Sequence, residues 1–590
     1  MLVRGNERAG SPSLLIKSVA CPHGIQARVA GLKKSAAATR FGAGRNSNAR
    51  IPVKFLSARS SLTRIFWASL MKIQFRQAAI QIVSMLAAVV CLAAAPATVS
   101  DQVILTPQPP LAPRINGPKV YGARPGHPFL YRIPCTGQRS IEFSAAGLPQ
   151  SLKLDRQTGI ITGRTPERRG DYRVTLRARN SKGSTSRLFK IVVGDTLALT
   201  PPMGWNDWYT HYDRVTDKLL RQAADAMVAS GMADYGYQYV NIDDCWMVKP
   251  GAKDAQLGGE PRDSTGAIRP NGRFPNMRAM TDYIHSKGLK AGLYTSPGPL
   301  TCAGFTGTYQ HEEIDARKFT EWGFDFLKYD WCSYESVAGG KTLEDYQKPY
   351  KLMGRILKDL DRDMVLNLCQ YGMSDVWKWG GEVGGHSWRT TGDLGLEKET
   401  RLPGFYSIGV QNALHAEYAG PGQWNDPDYI LIGSVGNAFR SEDPPKPTTL
   451  TGDEQYSYLS MWALMAAPLF FSGDLRMQYL DDFTLNILCN AEVIEVDQDP
   501  LGKQARIVRH TDDEFVLARP MEDGSLAVGL FNLTESPRPI TVTWRDLGLE
   551  GNRRVRDIWR QKNIATATNQ YSATVNRHGV SLVRLISAAK

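Results

Sequence analysis

Two aspartates frame the chemistry this sequence can be read to perform. Asp330 closes the apolar run Phe324-Asp325-Phe326-Leu327-Lys328-Tyr329, with Lys328 two residues upstream and so on the same face of an extended strand. A nearby ammonium favours the ionised carboxylate that a nucleophile must be. Asp393 ends Ser387-Trp388-Arg389-Thr390-Thr391-Gly392-Asp393, a glycine-containing loop after a short strand, from which a carboxyl can project over an opening. Cleaving a glycosidic bond with retention needs two such groups about 5–5.5 Å apart, one attacking the anomeric carbon and one protonating the leaving oxygen. The chain holds 58 acidic residues, so spacing alone does not select the pair. A lone aspartate at a strand end often does no more than cap a loop.

The elements that would position these groups have a consistent grammar. From about residue 197, β-rich apolar runs alternate with helical segments, the pattern of βα units and a parallel sheet. Eight runs are expected as strands: 202–206, 237–242, 289–294, 324–328, 364–368, 387–388, 423–424 and 468–471. Carboxylates, amides or basic groups follow nearly every one of them. Such ends gather at the C-terminal mouth of a (β/α)8 barrel, where that fold places its active sites. A doubly wound open sheet is the competing topology, but its single crevice does not call for polar groups at all eight strand ends.

Both flanks read as β structure. Tyr172, Val174, Leu176 and Ala178 alternate with Arg173, Thr175, Arg177 and Arg179, a strand with one buried face. The stretch from Gly147 to Gly183 resembles the Ig-like modules of exported bacterial enzymes. Period-two runs return after Asp499-Pro500, predicting a C-terminal antiparallel β-sandwich. The expected fold class is therefore α/β, a (β/α)8 barrel between two β-sandwiches. The expected boundaries are a basic extension over 1–70, a signal peptide over 71–97, a Pro-rich linker or extended first strand over 98–118, an Ig-like sandwich over 119–196, the barrel over 197–500 and the C-terminal sandwich over 501–590.

Charge and cysteines narrow the class. The net charge of +13 comes almost entirely from residues 1–70, where twelve Lys/Arg face one acid, which leaves +2 on the remaining 520 residues. Nucleic acid is not implied. Residues 71–97 carry Lys72 and Arg76, the apolar stretch Ile80–Ala93 and a small-residue cleavage region, the layout of a secretory signal peptide. The apolar stretch is shorter than the ~20 residues a membrane span requires, so a secreted or periplasmic location with no span in the mature form is expected. An organelle transit peptide is the alternative for the Arg- and Ser-rich extension. Of eight cysteines, Cys21 and Cys91 precede the expected mature chain, and none of the rest shows zinc spacing.

The motifs PPMGWNDW (201–208), NIDDCW (241–246), GLKAGLYTSPGPLTC (288–302), GFDFLKYDWC (323–332), NLCQYG (367–372), SWRTTGD (387–393), GQWNDPDYILIG (422–433) and EVIEVDQDPLGKQA (492–505) resemble glycoside hydrolase family 27 in order and over about 300 residues. That family comprises alpha-galactosidases and alpha-N-acetylgalactosaminidases. The resemblance implies Asp330 as nucleophile and Asp393 as acid/base. It also implies Asp243 and Asp244 on the hydroxyls at sugar carbons four and six, Lys328 and Arg389 donating to ring hydroxyls, Trp205 stacking under the sugar (or else a core tryptophan of the barrel) and Tyr294 lining the pocket. It further implies a Cys302–Cys332 disulfide, free thiols at Cys245 and Cys369, and no metal or organic cofactor. Where the family commonly has Cys-Glu-Trp, this chain has Cys369-Gln370-Tyr371; Gln370 would meet the hydroxyl at carbon two with altered strength. The implied activity is release of terminal alpha-linked galactose by a retaining, exported hydrolase with a carbohydrate as partner. The absence of a Ser/Ala pair argues against an acetamido substrate, and Asp243-Asp244 argues against a pentopyranose. An isomaltodextranase specificity and a non-catalytic sugar-binding barrel stay open.

Overall fold

The computed structural model describes residues 102–394, 401–436 and 445–588. The expected basic extension and signal peptide lie outside them. At the centre are eight parallel strands: β1 (Met203–Asn206), β2 (Tyr239–Asn241), β3 (Lys290–Thr295), β4 (Phe326–Asp330), β5 (Val365–Cys369), β6 (Ser387–Arg389), β7 (Trp424–Asp426) and β8 (Leu469–Phe471). Neighbours follow chain order from β1 to β7, and β8 returns to pair with β1. The ring closes beside β7, where the Ile430 N–H donates to the Phe470 carbonyl at 2.8 Å and the Ser472 N–H to the Ile430 carbonyl at 3.0 Å. Every residue of these strands is buried. Strands covered on both faces tend to read as near-continuous apolar runs, and those such as Val365-Leu366 and Leu469–Phe471 stand out in the sequence for that reason.

Helices cover the ring, several of them with side-chain caps. Asp217–Ala229 starts where the Thr216 side chain accepts the Leu219 N–H, and it buries Leu219, Leu220, Ala223, Ala224 and Met227. Leu343–Lys358 and Gly452–Leu464 each open with a reciprocal capping box, Thr342 with Asp345 and Thr451 with Glu454. Between β5 and β6 only the short 3-10 turn Val376–Lys378 replaces a full helix.

The N-terminal module packs a four-stranded sheet against a three-stranded one around Phe129, Tyr131, Phe143, Val174, Leu176 and Phe189. Its first strand, Arg114–Ile115, lies in the stretch expected as a linker or extended first strand and pairs with Cys135–Thr136. The residues before it are bonded to the barrel rather than free. The Tyr456 hydroxyl donates to the Val103 carbonyl at 2.8 Å, and Asn486 accepts the Thr106 N–H at 2.7 Å. The C-terminal domain sets a six-stranded antiparallel sheet against a two-stranded one, with Val516, Val528, Leu530, Ile540, Val542 and Val583 between them. Among the described residues no helix is long and apolar enough to cross a membrane.

Candidate active site

A cavity of about 230 Å³ opens at the mouth of the barrel, and both Asp330 and Asp393 line it. At ~30 Å³ per water in the liquid, that is room for about eight waters, the scale of one hexose. The two carboxylates sit in different surroundings. Asp330 is the last residue of β4 and is buried; its Oδ1 accepts the Tyr371 hydroxyl at 2.7 Å and the Trp331 N–H at 2.7 Å. Burial raises its pKa above the ordinary carboxylate value, although Lys328 and the Tyr371 hydrogen bond pull the other way. Asp393 has a side chain 54% exposed, and its Oδ1 lies 3.3 Å from Arg389.

Two buried ion pairs brace the walls. The Lys328 ammonium is 2.9 Å from Asp243, whose same oxygen also accepts from Asn206 at 2.8 Å and Tyr429 at 3.1 Å. Burial alone would lower the Lys328 pKa, but Asp243 and the other nearby anions outweigh it and hold the ammonium charged. Lys328 thus makes its contact with Asp243 and acts on Asp330 only through space. On β6, the Arg389 guanidinium is 3.1 Å from Asp428, which also accepts the Tyr209 hydroxyl at 2.8 Å. Burial disfavours the Arg389 charge, and Asp428 more than compensates. Cys302 and Cys332 are disulfide-bonded with Cα atoms 5.0 Å apart, tying the loop after β3 to the end of β4 beside Asp330. Among the described residues, Cys135, Cys245, Cys369 and Cys489 are free and buried.

Comparison with known proteins decides the family. Residues 200–499 match the family described as Alpha galactosidase A, residues 511–585 the alpha galactosidase C-terminal beta sandwich domain, and residues 112–194 an Ig domain family. The alpha-galactosidase of Cyamopsis tetragonoloba is 38% identical over 65% of this chain and 86% of its own. This chain belongs to the alpha-galactosidase family. A solved Bacteroides fragilis structure, 37% identical, superposes with a TM-score of 0.73 over 80% of this chain and 98% of its own. The alpha-galactosidase of Saccharomyces cerevisiae solved with raffinose is 26% identical, with a TM-score of 0.59 over 66% of this chain and 98% of its own.

Within this alpha-galactosidase-family barrel, Asp243, Tyr294, Lys328, Asp330, Arg389 and Asp393 all reach the cavity wall. Three residues expected there do not. Trp205 lies inside β1, fully buried, with its indole N–H donating to the Gly473 carbonyl at 2.9 Å. It is a core residue of the barrel, and Trp208, just past the strand end, takes the wall position. Asp244 is also fully buried: Oδ1 accepts the Cys245 N–H at 2.6 Å and Oδ2 the Ala303 N–H at 2.9 Å. Both lie just past the end of β2, where Asp243 faces the cavity and Asp244 holds the loop carrying Ala303 behind it. Burial pushes the Asp244 carboxyl up to about 7. Gln370 turns away, donating from Nε2 to the Met373 carbonyl at 2.8 Å while its buried Oε1 has no partner. The reason is local: Tyr371 and Gly372 adopt left-handed φ values of 65° and 82°, a turn that swings Tyr371 rather than Gln370 into the site.

Asp428, Tyr209, Tyr371 and Tyr429, not among the residues expected at the site, also line the cavity. Asp428 and Tyr429 lie in Trp424-Asn425-Asp426-Pro427-Asp428-Tyr429, a strand end as rich in polar groups as the ones chosen. For Asp428, the charge of Arg389 at the end of the preceding strand β6 was the available signal.

Proposed function

We propose that this chain is an exported retaining hydrolase that releases terminal alpha-linked D-galactose from oligo- or polysaccharides. The observation that carries the reading is one hexose-sized cavity bounded by a buried carboxylate on β4 and a half-exposed one after β6. In the first step, Asp393 protonates the leaving oxygen at the open rim while an Asp330 oxygen bonds to the anomeric carbon, giving a glycosyl-enzyme and the freed alcohol. In the second, Asp393 takes a proton from water, which attacks the same carbon and releases Asp330. Solvent access at Asp393 suits the group that must exchange protons, and seclusion suits the group that must bond carbon. Tyr371 engages Oδ1 of Asp330, leaving Oδ2 to attack. Asp243 and Lys328 face the sugar as an acceptor and a donor, each held by the other, and Arg389 is fixed by Asp428 beside the acid/base. The yeast relative solved with raffinose supports the choice of an alpha-galactoside. Export rests on the layout of residues 71–97.

The test is a panel of aryl glycosides (alpha-galactoside, beta-L-arabinopyranoside, alpha-N-acetylgalactosaminide, alpha-glucoside) with the first-formed anomer read by NMR. The reading expects the alpha-galactoside to be preferred and alpha-galactose to appear first. A beta-anomer, or preference for another glycoside, contradicts it. N-terminal sequencing of the exported protein should find a start near residue 96–98; retention in the cytoplasm contradicts export.

A further inference from the structure

The Ig-like module and the body it sits on carry opposite charge. Residues 112–194 hold sixteen Lys/Arg against four Asp/Glu, a net +12, while residues 195–590 hold 41 against 52, a net −11. Part of this complementarity is used inside the molecule. Arg114 lies 3.6 Å from Glu495, Lys119 3.2 Å from Glu522 and Arg132 3.7 Å from Asp234. Arg139 also contacts Asp234, and the Arg124 N–H donates to Asp363 at 3.0 Å. These residues explain how the module docks. They leave a second basic set unexplained.

That set lies on the strand Gly170–Asn180. Arg173, Arg177 and Arg179 are exposed and project from one face of the sheet, Arg177 and Arg179 ~7 Å apart and Arg173 ~13 Å from Arg177, with Thr175 between. Across the strand pairs, Arg177 faces Ser186 and Ser144, and Arg179 faces Ser184 and Glu142. Glu142 is taken by Arg156 at 2.5 Å, and the other acid on the strand, Asp171, by Lys190 at 3.1 Å. Among the described residues, nothing engages the guanidinium groups of Arg173, Arg177 or Arg179. A groove of about 420 Å³ is walled by Arg156, Arg177 and Arg179 and floored in part by the hydroxyls of Ser144, Ser184 and Ser186, with Arg173 farther along the same face.

We propose that this sheet face is a docking surface for a carboxylated polysaccharide, a uronate polymer, which holds the catalytic barrel beside its substrate. The guanidinium fork matches a carboxylate with two parallel hydrogen bonds. Serine hydroxyls both donate and accept, as sugar hydroxyls require. The groove offers no exposed aromatic ring on which a nucleic-acid base would stack, Phe143 being buried. Like charges held on one face repel, and a polyanion relieves that repulsion.

The test is affinity electrophoresis of the full chain in native gels containing polygalacturonate, neutral galactomannan, duplex DNA or no polymer. Wild type is compared with the Arg173→Ser/Arg177→Ser/Arg179→Ser triple variant and with Arg177→Glu alone. Residues 1–70 contribute equally to all three proteins. Polygalacturonate should retard wild type, with the apparent Kd rising at least tenfold in the triple variant and binding weakening as salt is added. Aryl-galactoside turnover should be the same in all three, which also reports intact folding. Equal retardation of wild type and both variants overturns the proposal, as does no retardation at all. DNA binding as strong through the same arginines would reassign the face to nucleic acid. A salt-sensitive shift without polymer that the variants abolish would reassign it to a second copy of the chain. Either result overturns it.

Discussion

The two ends of strand β4 carry aspartates in nearly equal burial and opposite electrostatic condition. Asp325 precedes the strand at the closed end of the barrel; it accepts from His285 at 2.8 Å, Arg362 at 2.6 Å and the Ala291 N–H at 3.0 Å. Burial alone would raise its pKa, but Arg362 and His285 reverse the balance and hold the carboxyl well below the usual range. Asp330, five residues on, has a phenol and a backbone N–H but no cation in contact, and its pKa is raised. The spaces around them differ in the same sense. The cavity near Asp325 is about 30 Å³, room for a single water, against about 230 Å³ at the mouth. Burial by itself therefore says little about a carboxylate's task. An aspartate whose lone pairs are taken by cations is a structural tie, and one left short of partners beside a sugar-sized space is held ready to react.

Swapping each aspartate for its amide should separate the two conditions most sharply. Asp330→Asn is expected to lower aryl alpha-galactoside turnover by roughly three orders of magnitude or more, while its Tm at neutral pH stays level or rises. Asp325→Asn is expected to do the reverse, losing about 3–5 kcal/mol of stability by stranding Arg362 with kcat per folded molecule unchanged. Kinetics and thermal melts on both proteins check this; an Asp330→Asn variant that kept its activity would remove the distinction.

Urea unfolding across a pH series sharpens the contrast. A carboxyl with a depressed folded pKa contributes stability above its unfolded value of ~3.9 and loses it as pH falls through the folded value. The Asp325→Asn deficit should therefore shrink in acid. A raised folded pKa works oppositely: ionisation weakens the fold as pH climbs from ~3.9 through the folded value. The Asp330→Asn gain should therefore grow with pH, and parallel curves for the two variants would contradict the assigned directions.

Tyr371→Phe removes a hydrogen bond to a charged group, worth about 1.5–3 kcal/mol, so kcat/KM should drop roughly 10- to 100-fold. The acid limb of its pH profile should move to higher pH, because the phenol's hydrogen bond lowers the Asp330 pKa. An unmoved limb would leave Tyr371 as a wall residue only. The smallest effect is expected at Asp244, pushed up to about 7 by burial. A shallow change in KM between roughly pH 6 and 8 should be present in wild type and flat in Asp244→Asn; its persistence in the variant would assign it elsewhere.

The barrel was legible because each buried parallel strand is a short apolar run ended by polar residues, and all eight expected runs correspond to strands. The site was legible where a side chain's direction follows from strand position alone, as at Lys328 and Asp330. It was not legible where the backbone leaves the strand. Nothing in Cys369-Gln370-Tyr371-Gly372 announces the left-handed turn that exchanges Gln370 for Tyr371. Trp205 and Trp208 differ only in which lies past the end of β1, a boundary uncertain by a residue or two from sequence. The same holds at Asp243-Asp244, which lie just past the end of β2, so strand alternation does not say which of the two faces the cavity.

The most direct test of the account is covalent trapping with a galactose-configured epoxide followed by peptide mass mapping. The account predicts one equivalent of label on the Asp330 carboxylate, blocked by galactose and absent from Asp330→Asn. Reversible binding without a covalent adduct, or label on a different carboxylate, would contradict it.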